Sequence, residues 1–202
     1  MKTKRVDTRR MVLLAMLSGI LLIMSFTPLG YLNIGPLAIS LNMIPVAIGA
    51  VALGPGGGAF LGAVFGITSC LQCVGIGGTS AMGVILFEIN PVLTILQRFA
   101  TRVLAGALTG VVYRTLHKLH FRYGCHTAGF CAALFNTAFF MGALVLLFGN
   151  TPYLQNLING RNALVFVLSY VGFNAFVELL ATTATVGVVC KALEKLKMIG
   201  GK

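Results

Sequence analysis

The chain has 202 residues, of which 57% are hydrophobic and only 9% are charged, and its formal net charge is +11. So little polar surface excludes an ordinary water-soluble domain. A helix needs roughly 20 apolar residues to cross a hydrocarbon layer of about 30 Å, so residues 1–202 have room for one membrane domain of about five to seven spans.

Six apolar runs follow one another along the chain, and each is long enough to be a candidate span. They cover residues 11–29, 38–54, 57–75, 91–113, 126–148 and 163–189. The first run lacks a small-x-small cleavage pattern after its apolar core, so we interpret it as a retained span. The sequence therefore predicts an all-α integral membrane protein, a bundle of six transmembrane helices.

The basic residues lie in short clusters between the apolar runs, which indicates a membrane topology signal and excludes a nucleic-acid-binding surface. Six spans with a cytoplasmic N-terminus place segments 1–10, 54–58, 114–125 and 190–202 inside. Those segments hold twelve Lys and Arg residues, whereas the outer loops hold only Arg161. This asymmetry follows the positive-inside rule and predicts that both termini are cytoplasmic.

Motifs for catalysis or energy conversion are absent from the sequence. It contains no phosphate-binding loop, no Gly-x-Ser-x-Gly and no His-Glu-x-x-His, so we predict neither an enzyme nor an ATPase, and no cofactor. The five cysteines fall within or at the ends of spans, and we expect no disulfide framework. Cys70 and Cys73 lack further ligands nearby, so we expect them to pack in a helix and predict no metal site.

Three charged residues fall inside predicted spans, where a charge is costly and needs a reason. Arg98 and Arg102 are four residues apart on the fourth span and share a face. One interpretation is an Arg102–Glu178 bridge that fastens the fourth span to the sixth. The other is a cavity for a polar ligand, in which Arg98, about 10 Å below the outer surface, meets a carboxylate.

Two asparagines accompany these charges inside the spans. Asn174 lies one helical turn before Glu178, and Asn136 lies in the fifth span. An asparagine in a membrane helix more often bonds a neighbouring helix than a ligand, but the clustering with Glu178 makes both residues candidates for a ligand site.

The predicted outer loops carry further candidates for ligand binding. Tyr31 and Asn33 lie in a mostly apolar loop with turn residues, as expected for a segment folded over a site. Glu88 and Asn90 lie before Pro91, at the predicted mouth of the cavity. For Asn90 the alternative is a simple helix cap.

Small residues recur at helical spacing on two spans. Ala15 and Gly19 form one such pair, and Gly58, Gly62 and Gly66 form a longer series on the third span. This spacing lets membrane helices approach closely, and we expect internal packing unless a partner protein covers the face.

Three segments resemble one family, the substrate-binding S components of energy-coupling factor (ECF) vitamin transporters. Residues 41–66, with Ile-Pro followed by Gly-Pro and a run of glycines, are similar to the second and third helices of that family. Residues 101–106 resemble its Pro-Arg-Ile-Leu-Val-Gly, with Thr101 in place of the proline. Residues 174–178 resemble its Asn-x-x-x-Glu, and Ala15 and Gly19 resemble the Ala-x-x-x-Ala of its first helix.

The resemblance implies a multi-pass protein of a prokaryotic plasma membrane that captures a vitamin on the outer face. It also implies partners, namely a transmembrane coupling subunit, contacted through Ala15 and Gly19, and two ATPases. Pantothenate is the expected ligand because its carboxylate would suit an arginine, with folate, riboflavin and other cofactors left open. The rivals are a structural or regulatory membrane protein, and a secondary transporter, which would need internal repeats that this chain lacks.

Overall fold

The computed structural model describes residues 8–27, 30–33, 38–77, 80–119, 123–158, 160 and 162–195. This part of the chain is almost entirely helical, with one short antiparallel hairpin. In chain order the elements are α1 Thr8–Phe26, β1 Tyr31–Asn33, β2 Ala38–Ser40, α2 Met43–Leu53, α3 Pro55–Cys73, α4 Ala81–Ile89, α5 Pro91–Lys118, α6 Gly124–Phe148, α7 Pro152–Ile158 and α8 Ala163–Lys195.

Among the described residues, five helices are long and apolar enough to cross a membrane: α1, α3, α5, α6 and the Asn174–Lys195 part of α8. Their positions agree with five of the six predicted spans to within a few residues at most ends. This agreement confirms the prediction of an α-helical chain with several membrane-crossing segments.

The second predicted span, residues 38–54, differs from the structure. Its helix, α2, has only 11 residues, which is about 16 Å at 1.5 Å per residue. Residues 38–40 instead form β2, which pairs with β1 so that Tyr31 faces Ser40 and Asn33 faces Ala38. Pro45 lacks an N–H and fits only the first turn of a helix, which accounts for a start near Met43.

The loops that we predicted on the outer side also contain helices. In the predicted loop 76–90, α4 covers Ala81–Ile89, and in the predicted loop 149–162, α7 covers Pro152–Ile158. Both are too short to cross a membrane. They add ordered structure at the ends of the long helices rather than further spans.

Glycines let α3 and α5 pack with their backbones in contact. A Cβ atom on Gly58 would collide with the carbonyl oxygen of Gly106, and one on Gly62 would collide with that of Arg102. A Cβ atom on Gly66 would lie 3.0 Å from the Cα of Phe99. The glycine series therefore serves internal packing, as expected, and its partner is α5.

The polar side of α5 faces the interior of the bundle, and its apolar side faces outward. Its buried polar residues repeat at helical spacing: Thr94, Gln97, Arg98, Thr101 and Arg102. Its exposed residues are large and apolar: Val92, Ile95, Leu96, Phe99 and Leu104. This distribution is typical of a helix that meets lipid outside and a polar site inside.

A disulfide joins Cys125, in the first turn of α6, to Cys190 in α8, across 65 residues of sequence. Our expectation that the cysteines form no disulfide was therefore wrong. No local pattern marks this pair, because the two residues meet only when α6 and α8 pack in opposite directions. Cys70, Cys73 and Cys131 are free thiols, and Cys70 and Cys73 lie in α3 as predicted.

Candidate ligand-binding site

The structure brings the predicted polar residues of three spans into the interior of the bundle. Arg98 and Arg102 on α5, Asn136 on α6, and Asn174 and Glu178 on α8 are each at most 8% exposed. Buried charge in a membrane bundle is costly unless partners or a ligand stabilise it. The contacts of each group therefore decide what the site can do.

Glu178 connects three parts of the molecule. Its Oε1 accepts a hydrogen bond of 2.9 Å from Nδ2 of Asn136, and the backbone of Ser40 is close enough to interact with its carboxylate. Arg102 is close enough to interact with the carboxylate electrostatically. The Asn136 bond links α8 to α6. The predicted Arg102–Glu178 bridge would link α8 to α5 only.

The guanidinium of Arg98 has neutral partners in the part of the chain that the structure describes. Its Nη1 donates to Oγ of Ser69 at 2.8 Å, and its Nη2 donates to Oγ of Ser80 at 3.1 Å. The ring of Phe140 lies 5.7 Å away, and the buried Nε has no hydrogen-bond partner among these residues. Hydroxyls and a ring satisfy donors without neutralising the charge.

Arg102 lies one helical turn further along α5 and is held by backbone and aromatic contacts. Its Nη1 donates to the carbonyl oxygen of Arg98 at 3.0 Å. Its guanidinium lies 4.5 Å from the ring centre of Phe65 and 5.2 Å from that of Phe140. The buried cluster thus contains two guanidinium groups and one carboxylate, a formal excess of one positive charge if all three are ionised.

The hairpin reaches the cluster through its second strand. Tyr31 and Asn33 lie in β1, and their side chains are outside the part of the chain described at side-chain level. Their backbones pair with Ser40 and Ala38 of β2. Because the backbone of Ser40 is close enough to interact with Glu178, the second strand of the hairpin borders the buried charges.

The second segment that we predicted on the outer side meets the cluster through the start of α4. Ser80 caps this helix by accepting the N–H of Gly83, and its hydroxyl also bonds Arg98. Asn90 caps α5, with its Oδ1 accepting the N–H of Leu93 at 3.1 Å, which confirms the capping alternative. Glu88 is exposed near the end of α4.

Several residues of the cluster were not predicted from the sequence. Ser69 and Phe65 lie four residues apart on α3 and so share a face, but this spacing alone does not distinguish them from ordinary packing residues. Gln97 precedes Arg98, donates to the carbonyl oxygen of Phe140 at 3.2 Å, and has a buried Oε1 without a partner among the described residues. That oxygen is a free acceptor beside the charges.

The predicted docking residues lie apart from this cluster. Ala15 is exposed on α1, and no atom lies within 4 Å of the position that a Cβ on Gly19 would take. This face of α1 is therefore open within the described structure, which leaves room for contact with lipid or with another protein.

Comparison with known proteins identifies one matching family and two similar transporters. The family model "ECF transporter, substrate-specific component" matches residues 9–189. The chain is 26% identical to the pantothenic acid transporter PanT of Lactococcus lactis subsp. cremoris over 94% of this chain and 97% of that protein. It is 27% identical to the pantothenate transporter PanT of Leuconostoc mesenteroides subsp. mesenteroides over 92% of both. The chain belongs to the family of substrate-specific components of ECF transporters.

Proposed function

We propose that this protein is the pantothenate-binding S component of an ECF transporter. The observation that supports this best is the charge of the buried cluster, in which Arg98 and Arg102 face a single carboxylate, that of Glu178. The relatives named pantothenate transporters support the same ligand.

Pantothenate fits the chemistry of the cluster because it carries one carboxylate, one amide and two hydroxyl groups. Its carboxylate would balance the excess positive charge, and Arg98 is the better partner because its described contacts are neutral. A planar guanidinium can hold a carboxylate with two parallel hydrogen bonds. The amides of Gln97, Asn136 and Asn174 would then meet the hydroxyl and amide groups.

The proposed topology has six crossings with both termini in the cytoplasm of a prokaryotic cell. The hairpin and α2 together form the second crossing, and the chain is a single membrane domain. In this orientation Arg98 lies toward the outer surface, and Tyr31 and Asn33 lie over the ligand. Ala15 and Gly19 on α1 would contact the transmembrane coupling subunit, whose two ATPase partners supply the energy.

Calorimetric titration of the purified protein in detergent tests the ligand, with pantothenate, folate and riboflavin compared side by side. A ligand at 100 times its Kd stabilises the fold by about 2.7 kcal/mol, so a thermal shift should accompany binding. We expect pantothenate alone to bind tightly. Tight binding of folate or riboflavin instead would reassign the ligand, and no shift with any vitamin would favour a structural or regulatory protein.

Panthenol, which has an alcohol in place of the carboxylate, tests the role of Arg98. A charge-assisted hydrogen bond contributes about 1.5–3 kcal/mol, so the protein should prefer pantothenate over panthenol by about 10- to 100-fold. Arg98→Gln should abolish this preference, whereas Lys191→Gln, which removes an exposed charge from α8, should retain it. An unchanged preference in Arg98→Gln would refute the assignment.

A further inference from the structure

Two cross-links hold α6 and α8 together at different depths. Near one end of the pair the disulfide joins Cys125 to Cys190, and deeper in the bundle Asn136 bonds Glu178. Asn136 lies eleven residues after Cys125, and Glu178 lies twelve residues before Cys190. At 1.5 Å per residue, both spacings correspond to about 16–18 Å along the helices. The two links therefore belong to one antiparallel register.

Between these links the two helices are in close contact, so a displacement of the helices at one link should also move them at the other. A Cβ atom on Gly129 of α6 would lie 2.8 Å from the carbonyl oxygen of Thr182 in α8, and one on Gly187 of α8 would collide with the ring of His126. Packed interiors shift between discrete arrangements and do not deform continuously. Making or breaking the bond between Cys125 and Cys190 should therefore shift the positions of Asn136 and Glu178.

An acidic side chain lies beside the two sulfurs and connects them to solvent. Oε1 of Glu194, one turn after Cys190 in α8, lies 3.3 Å from Sγ of Cys125. The hydroxyl of Tyr113 in α5 donates to the same oxygen at 3.2 Å. Cys125 and Cys190 are 5% and 1% exposed, respectively, whereas Glu194 is exposed. In the dithiol form this carboxylate is placed to accept the Cys125 proton.

We propose that Cys125 and Cys190 form a reversible oxidation site that locks the register of α6 against α8. Glu194 takes the proton of Cys125, and the thiolate attacks one sulfur of a small-molecule disulfide such as oxidised glutathione, releasing one thiol. The sulfur of Cys190 then attacks Sγ of Cys125 in the mixed disulfide, so that the Cys125–Cys190 bond forms, the mixed S–S bond breaks, and the departing thiolate takes the proton of Cys190 and leaves as the second thiol. Two cysteine thiols are oxidised and one disulfide is reduced to two thiols.

The disulfide affects the ligand site through Glu178, because it fixes the register of α8 against α6. This consequence rests on the proposed function. In the proposed topology this end of the bundle is cytoplasmic, where thiols are normally kept reduced. The dithiol is then the resting form, and oxidation gives the locked form. With the register fixed, Glu178 and Asn136 are preorganised, so the oxidised protein should bind pantothenate several-fold more tightly than the dithiol.

Full-length protein prepared in both redox states tests the oxidation site without any ligand. After treatment with oxidised glutathione, alkylation and mass spectrometry should count two fewer thiols, and the melting temperature should rise by about 5 °C or more. Cys125→Ser and Cys190→Ser should show neither change, and Cys131→Ser should retain both. Two thiols that stay alkylatable, or a melting temperature that does not differ between the two states, would overturn the proposal.

Glu194→Gln separates proton transfer from structure. This variant should form the disulfide at least about tenfold more slowly, and its final thermal shift should match that of the wild type. An unchanged rate would remove Glu194 from the reaction. Equal pantothenate affinity in the two redox states would overturn the link to the site. Absence of pantothenate binding in both would contradict the proposed function, and thiol counts and melting temperatures would still decide the oxidation site.

Discussion

The helices α1 and α5 are both apolar enough to cross a membrane, yet they are constructed in opposite ways. In α5 the inward face is polar, with Arg98 and Arg102 at its centre. In α1 only Leu17, Leu21 and Ser25 are buried. Thus α5 presents buried charge to the interior of the bundle, and α1 presents an open apolar surface.

Under the proposed function, this difference assigns ligand recognition and docking to separate helices. A change on the inward face of α5, or on its partner α3, should affect folding or ligand binding. A change on the open face of α1 should leave both intact and affect only contact with another protein.

The largest effect is expected where α3 meets α5. Gly58→Leu would push a side chain into the carbonyl of Gly106 and force two backbones apart, which should cost more than about 3 kcal/mol. We expect almost no monodisperse protein in size-exclusion chromatography. The control is Gly19→Leu on α1, where the same substitution meets open space. Similar yields from the two variants would contradict this packing.

The next effect is expected at Glu178. Glu178→Ala removes the acceptor of the Asn136 bond and leaves Arg102 without its nearby carboxylate. Breaking a buried charged network typically costs about 3–5 kcal/mol, so the melting temperature in detergent should fall sharply. Glu178→Gln keeps the side-chain shape and should lose less. A melting temperature unaffected by Glu178→Ala would show that the carboxylate does not support the bundle.

On the open helix, a bulky residue should impair uptake alone. Ala15→Trp and Gly19→Trp should leave pantothenate affinity within about twofold of wild type, because neither touches the buried cluster. Uptake by cells that express the ECF module should fall by about fivefold or more, since a local misfit at a close helix contact costs about 1–3 kcal/mol. Phe60→Trp, on an exposed position of α3, is the control. Undiminished uptake would place the docking surface elsewhere.

The sequence predicted those features that are costly in a membrane. A charge within a span needs a reason, so Arg98, Arg102 and Glu178 could be identified from sequence, and the structure buries all three. The spacing of Gly58 and Gly62 similarly predicted close helix packing. In both cases the prediction depends on the residue type at individual positions, namely a charged residue or a glycine within a span.

Features that depend on long-range contacts could not be predicted in this way. A serine satisfies its hydroxyl easily within a helix, so Ser69 gave no sign that it bonds Arg98. Residues 38–40 are apolar enough to continue a span, and only pairing with β1 makes them a strand. Cys125 and Cys190 meet through the packing of α6 on α8, which no local pattern encodes.

The smallest predicted effect concerns Gly83 on α4, which lies against the guanidinium of Arg98. A Cβ atom there would be 2.5 Å from Nη2 of Arg98 and 3.0 Å from Sγ of Cys73. Because a flexible side-chain end can move aside, Gly83→Ala should shift Arg98 without unfolding the protein. A displaced charged hydrogen bond loses part of its roughly 1.5–3 kcal/mol, so calorimetry should show pantothenate affinity lowered about three- to tenfold. Gly142→Ala on α6, where the new methyl meets open space, should bind as wild type does. If both variants bind equally well, Arg98 does not need its observed position to hold the ligand.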